Sequence, residues 1–187
     1  MADAPARARL TVLAGPSGVG KGSVVSALRA LAPDVWVSVS WATRARRPAE
    51  VDGVHYVFVD EERFAAEVAR GGFLESAEYA GHRKGTPRAP VEERLAAGVP
   101  VLLEIDVQGA RLVRAAMPDA LLVFLAPPSM AELARRLVGR GTDDAAGVQE
   151  RLAIARAEMA AADEFDAVIV NDDVEQAAAR LLALMRG

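Results

Sequence analysis

The run Gly15-Pro16-Ser17-Gly18-Val19-Gly20-Lys21 is the strongest constraint this chain places on its fold. It follows an apolar stretch, Leu10–Ala14, and precedes a helical pattern over 24–31. Strand, glycine-rich loop and helix in that order are the context of a phosphate-binding loop. Glycines let the chain curl so that successive backbone N–H groups point at one anion. The start of the following helix adds its positive dipole end, and Lys21 reaches the outer phosphates as a point charge. The chain is therefore expected to bind a nucleoside triphosphate through Gly15, Ser17, Gly18, Val19, Gly20, Lys21, Gly22 and Ser23. The usual pattern places Ser or Thr directly after the lysine. Here Gly22 takes that place and Ser23 follows, which makes Ser23 the candidate hydroxyl for Mg²⁺.

The rest of the chain alternates in the same way. Apolar runs at 101–105, 120–125 and 167–170 precede helical stretches near 108–116, 129–138 and 173–186. Short apolar runs between amphipathic helices predict an α/β fold, a central parallel sheet flanked by helices. Ser129 followed by Glu132 reads as a capping box. Residues 40–90 break the alternation, with short strand-like pieces punctuated by Gly53, Gly71, Gly72, Gly81 and Gly85. They predict a small mixed α/β insert. Residues 139–147 are polar and glycine-containing, the composition of a mobile lid loop, and residues 1–8 predict a short disordered tail.

At 187 residues the chain suits one domain with an insert. Its net charge of −4 argues against a nucleic-acid surface. No apolar run approaches a membrane span. The absence of cysteine excludes disulfides and thiolate chemistry, and fits a cytoplasmic setting. Only Lys21 and Lys84 are lysines among 22 basic residues. A composition that favours arginine this strongly marks Lys21 as a place where a compact ammonium is wanted, and Lys84 reads either the same way or as a solvent-facing lysine kept by chance at the edge of the insert.

Phosphoryl transfer needs positioning, and positive charge where phosphate oxygens crowd together. Arg44, Arg46 and Arg47 form one cluster, and Arg135, Arg136, Arg140 and Arg151 gather around the lid segment. Arginine clusters also occur as plain solvated faces; the phosphate loop favours a functional reading for Arg44, Arg47, Arg140 and Arg151. Asp106 ends an apolar run and so lies at the carboxyl end of a strand, where ligands bind in open α/β sheets. It is placed to hold Mg²⁺ through water, to accept hydrogen bonds from a base, or to cap the next helix. His55 and His82 stand singly and read as ordinary insert residues.

Together the following segments resemble guanylate kinase over roughly residues 9–186: Gly15–Lys21; Ser38-Val39-Ser40 with Thr43, Arg44 and Arg47; Gly53, Tyr56 and Phe58; Phe73-Leu74-Glu75; Gly85-Thr86; Leu103–Gly109; Ala126–Ser129; Arg136 with Gly139–Thr142; and Val168–Asn171. The resemblance implies a P-loop kinase core with a GMP-binding insert over 40–90 and a lid over 140–150. It implies transfer of a phosphoryl group from ATP to GMP or dGMP with Mg²⁺, by a cytoplasmic monomer or homodimer that binds neither nucleic acid nor membrane. It places Ser40, Glu75, Thr86 and Asp106 at the guanine, and Arg44, Arg47 and Tyr56 at the acceptor phosphate. Arg136, Arg140, Arg151 and Asn171 fall on the ATP side, with Lys21, Arg44, Arg140 and Arg151 serving catalysis. Lys84 stands where the family usually carries a tyrosine, and is expected to meet the acceptor phosphate with charge in place of a neutral donor. Trp41, Ala42, Arg46 and Ser76 are further departures on the acceptor side. They motivate two alternative readings: a paralogue acting on a modified or different nucleotide, and a non-catalytic interaction module of the same fold.

Overall fold

The computed structural model describes residues 8–79, 81–139 and 145–187. Residues 1–7 of the expected tail, and Arg140 with the rest of 140–144 in the expected lid, lie outside the described residues.

Five parallel strands build the main sheet: β1 (Leu10–Ala14), β2 (Trp36–Val37), β7 (Val101–Glu104), β8 (Leu121–Ala126) and β9 (Ala167–Val170), in the order β2-β7-β1-β8-β9. The apolar runs are continuous because the central strands are covered on both faces. Alternate residues divide accordingly. Leu13, Leu102, Val123 and Leu125 join one cluster with α1 (Lys21–Leu31), α5 (Met130–Gly139), α6 (Ala145–Met159) and α7 (Val174–Arg186). Leu10, Val12, Val101, Leu103 and Leu122 join the other, with Val91 of α3 (Arg88–Ala96) and Ala110 and Val113 of α4 (Val107–Ala116). β1 lies between β7 and β8, so the chain order reverses at its carboxyl end. The glycine-rich loop emerges at that switch point, where such sheets bind ligands.

A second sheet runs β4-β3-β6-β5, from β3 (Trp41–Ala42), β4 (Val57–Phe58), β5 (Phe73–Tyr79) and β6 (His82–Pro87). It is mixed: β3 pairs parallel with β4 and antiparallel with β6. The helix α2 (Glu61–Ala69) closes a small core over it, in which Phe64 stacks on Phe73 at 4.6 Å and Trp41 meets Phe73 edge-on at 5.6 Å. Trp41 therefore packs the second sheet, with the Arg63 guanidinium over its ring.

Two local expectations are corrected. Ser129 Oγ accepts from the Glu132 N–H, as a cap should, but Glu132 does not complete the box. Its carboxylate is drawn instead to Arg135 and Arg136, because a charged partner outcompetes a backbone N–H. From Ala145 the chain is already helical, so residues 145–147 of the expected loop belong to α6. Helix-favouring Ala145 and Ala146 outweigh Gly147 there.

Gly15 marks the tightest point of the fold. A Cβ there would lie 2.3 Å from the carbonyl oxygen of Leu125. Gly22, by contrast, has only Glu104 Oε1 near, at 3.8 Å. Gly15→Ala is expected to destabilise the protein by at least about 2 kcal/mol, a fall in Tm of about 4–8 °C. Gly22→Ala is expected to stabilise it by about 0.4–1 kcal/mol through the unfolded chain. Thermal unfolding of the two variants checks both signs.

Candidate active site

The loop curls over the amino end of α1. Gly18 and Gly20 adopt positive φ of 86° and 98°, conformations that an L side chain rarely enters. A Cβ on Gly18 would meet Leu137 at 2.6 Å, and one on Gly20 would meet Asn171 Nδ2 at 2.6 Å. The loop is thus wedged between α5 and the segment after β9. Asn171, 2 % exposed, donates from Nδ2 to the Val19 carbonyl at 2.7 Å. Arg136 donates to the carbonyls of Val19 and Asn171, each at 3.2 Å. Both residues therefore grip the loop backbone from behind. Arg151 donates to Ser17 Oγ at 2.8 Å.

The Lys21 ammonium donates to the carbonyls of Gly15 at 2.6 Å and Pro16 at 3.3 Å. Burial draws its pKa below the ordinary value, against the charges of Glu104, Glu158 and Asp106. Ser23 lies exposed in the first turn of α1. Among the described residues no group of three or more His, Cys, Asp or Glu side chains is placed to hold a metal.

Across the cleft, Glu75 of β5 is 5 % exposed, and burial raises its pKa. Thr86 of β6 donates from Oγ1 to Glu75 Oε1 at 2.7 Å, and Ser40 Oγ lies 3.4 Å from Thr86 Oγ1. Gly109 lets α4 approach this carboxylate: a Cβ there would stand 3.2 Å from Glu75 Oε2. Asp106 does cap α4, its Oδ1 accepting from the Gly109 N–H at 2.8 Å. Its Oδ2 takes the Lys84 ammonium at 2.7 Å. Burial opposes both charges, but the pairing prevails and holds Lys84 above and Asp106 below their ordinary pKa values.

Two cavities meet here. One, of about 370 Å³, is lined by Ser38, Ser40, Tyr56, Glu75, Lys84 and Glu104 among others. The other, of about 440 Å³, is lined by Ser17, Arg44, Arg47, Tyr56, His82 and Lys84 among others. The fold thus brings Ser40, Glu75, Thr86, Lys84 and Asp106 together, and sets Arg44, Arg47 and Tyr56 beside them. His55 and His82, read from the sequence as ordinary insert residues, line one cavity each, and His55 accepts at Nδ1 from the Val51 N–H.

A family model for guanylate kinase matches residues 7–187. The chain belongs to the guanylate kinase family. A protein from Frankia casuarinae named guanylate kinase is 63% identical over 95% of this chain and 97% of its own length. One of the same name from Prochlorococcus marinus is 53% identical over 99% and 98%. The crystal structure of guanylate kinase from Anaplasma phagocytophilum superposes with a TM-score of 0.78 at 36% identity, covering 96% of this chain and 85% of that one.

Four acceptor-side and loop-side groups escaped the sequence reading. Glu50 takes a bidentate pair from Arg44, at 2.7 and 2.5 Å, and the Arg47 N–H at 2.9 Å. The same guanidinium lies over the rings of Tyr56 and Phe58. Ser38 carries a buried hydroxyl with no hydrogen-bond partner among the described residues. Glu104 and Glu158 place their charges near Lys21, and Glu158 also faces the Ser17 N–H. Ser38 and Glu104 lie within segments that carry the resemblance but had no role assigned, and the spacing of Glu50, three residues after Arg47, reads equally as a surface turn.

The Arg44 hydrogen bonds bring the Glu50 pKa down from 4.5 to about 2. A depressed carboxylate pKa gives stability that is complete above the unfolded value and lost as pH falls through the folded one. Glu50→Gln is therefore expected to lower Tm by a constant amount above about pH 5, with the gap closing between about pH 4.5 and pH 2. Thermal unfolding of both proteins across that range checks it; a gap indifferent to acid would mean that Glu50 acts by shape and not by charge.

Proposed function

We propose that this protein transfers the γ-phosphoryl group of ATP to GMP, or to dGMP, giving ADP and the corresponding diphosphate. The observation that carries this reading is a single cleft with a phosphate loop and lysine on one wall and a buried carboxylate–threonine pair on the other. Relatives at 53–63% identity named guanylate kinase do not favour a non-catalytic module or a specialised acceptor.

ATP would lay its phosphates in the N–H cradle of residues 15–23, exchanging the Lys21 ammonium's two carbonyl partners for phosphate oxygens. Arg136 and Asn171 hold that cradle in shape, and Arg151 adds charge beside Ser17. Mg²⁺, held by Ser23 and through water by Asp106, would neutralise developing charge on the phosphate oxygens. Arg44, Arg47, Tyr56 and Lys84 would receive the acceptor phosphate. Its attacking oxygen is already anionic at neutral pH, so no side chain has to remove a proton; the residues supply alignment and charge.

Base choice falls to Glu75, with Thr86, Ser40 and Asp106. An ionised carboxylate only accepts hydrogen bonds, and guanine offers it N1–H and the exocyclic amine together. Adenine lacks that pair, and a buried group left unpaired rejects the wrong base strongly. Thr86 uses its hydroxyl proton to hold one carboxylate oxygen in place.

Lys21→Ala is expected to cut turnover on the order of 10³-fold or more while the protein stays folded. Glu75→Gln is expected to lower kcat/KM for GMP by about 2–4 kcal/mol and to leave ATP affinity nearly unchanged, because the amide presents a donor to one guanine donor. A coupled ADP-release assay over a panel of nucleoside monophosphates, with circular dichroism on each variant, measures both. Equal loss for ATP and GMP in Glu75→Gln would make Glu75 structural.

A further inference from the structure

Lys84 sits in the middle of the second sheet, its backbone fixed in register with Ala42 on one side and Ala77 on the other. Its ammonium leaves that sheet and crosses to the main body, 2.7 Å from Asp106 Oδ2. Both side chains are about one-third exposed, at 36% and 34%. The remaining oxygen of Asp106 is committed to the α4 cap. Lys84 and Tyr56 line both cavities, so the ammonium stands at the junction of the base-binding and phosphate-binding regions. The carboxylate that would face base or Mg²⁺ is thus neutralised by the cation that would face phosphate.

We propose that Lys84 is a positioning residue that exchanges partners: it holds Asp106 while the acceptor is absent and moves to the acceptor phosphate when the nucleotide seats, freeing Asp106 Oδ2. This rests on the acceptor reading given above. The physics favours exchange in that direction. A phosphate dianion carries twice the charge of a carboxylate and offers more acceptor oxygens. The lysine stem reorients its ammonium by bond rotation, so the backbone of β6 need not move. Asp106 keeps its place meanwhile, because the Gly109 N–H still holds Oδ1. An acceptor without a phosphate has nothing to draw the ammonium away, so Asp106 stays masked, and the cleft distinguishes nucleotide from nucleoside before any chemistry occurs.

The composition supplies a clean probe. With two lysines in the chain, protein labelled with 13C at lysine Cε gives one signal set for Lys21 and one for Lys84, and Lys84→Met assigns them. Asp106→Asn removes the charge and retains the cap, since Asn caps helices as well as Asp. The expected results are three. Asp106→Asn shifts the Lys84 signal in the nucleotide-free protein. Saturating GMP shifts the Lys84 signal in the parent and abolishes the difference between parent and Asp106→Asn, whereas guanosine leaves that difference in place. Lys84→Met raises KM for GMP about 10-fold, the loss of one charge-assisted bond. A Lys84 signal indifferent to Asp106→Asn without nucleotide overturns the pair. A difference that survives saturating GMP overturns the exchange, and leaves the acceptor reading standing if GMP is still turned over. A protein that neither binds nor phosphorylates GMP overturns the acceptor reading and the exchange with it, while the nucleotide-free comparison still reports the pair.

Discussion

Everything in the cleft depends on how closely the backbone of Gly15 lies against the carbonyl of Leu125. That contact leaves no room for a Cβ, so the chain leaving β1 turns tightly against its neighbour strand β8. The loop is then packed from behind by Leu137 and Asn171, which occupy the space where side chains on Gly18 and Gly20 would stand, and Arg136 donates to the Val19 carbonyl. The result is a loop backbone whose course is fixed by its packing. Backbone dipoles held in this way need no rearrangement at the moment of reaction.

The second requirement is electrostatic. Two phosphates repel each other, and the cleft answers with cations that the protein already keeps occupied. Lys21 rests on loop carbonyls, Arg44 on Glu50, Arg151 on Ser17 and Lys84 on Asp106. Each of these partners is weaker or less charged than a phosphate, so each cation is aligned without being lost to the substrate. Arg44 is held most firmly, between a bidentate carboxylate and two aromatic rings. The two cavity walls differ accordingly: one carries the threonine-bound carboxylate of Glu75, the other the guanidinium groups of Arg44 and Arg47, and the Lys84 ammonium is shared between them.

The main sheet was legible in the chain because its strands are covered on both faces. Burial on both sides demands unbroken apolar runs, and those runs mark 10–14 and 167–170 at their observed limits. The second sheet was less legible. β3 and β4 are two residues each, too short to show a period, and their pairing depends on Trp41, Phe64 and Phe73 meeting from distant positions. The capping box failed for a similar reason: whether Glu132 turns back to the backbone is decided by where Arg135 and Arg136 stand.

By itself the sequence determined the phosphate loop, the α/β alternation and the residue types at the acceptor side, because backbone freedom, burial on two faces and hydrogen-bonding chemistry are local properties of residues. Only the tertiary structure decided who partners whom. That Asp106 both caps α4 and receives Lys84, that Glu50 holds Arg44, and that Asn171 supports Val19 from 152 positions away along the chain are long-range juxtapositions. A charge acquires a partner only when the fold brings one within about 3 Å, and no periodicity in the chain encodes that distance.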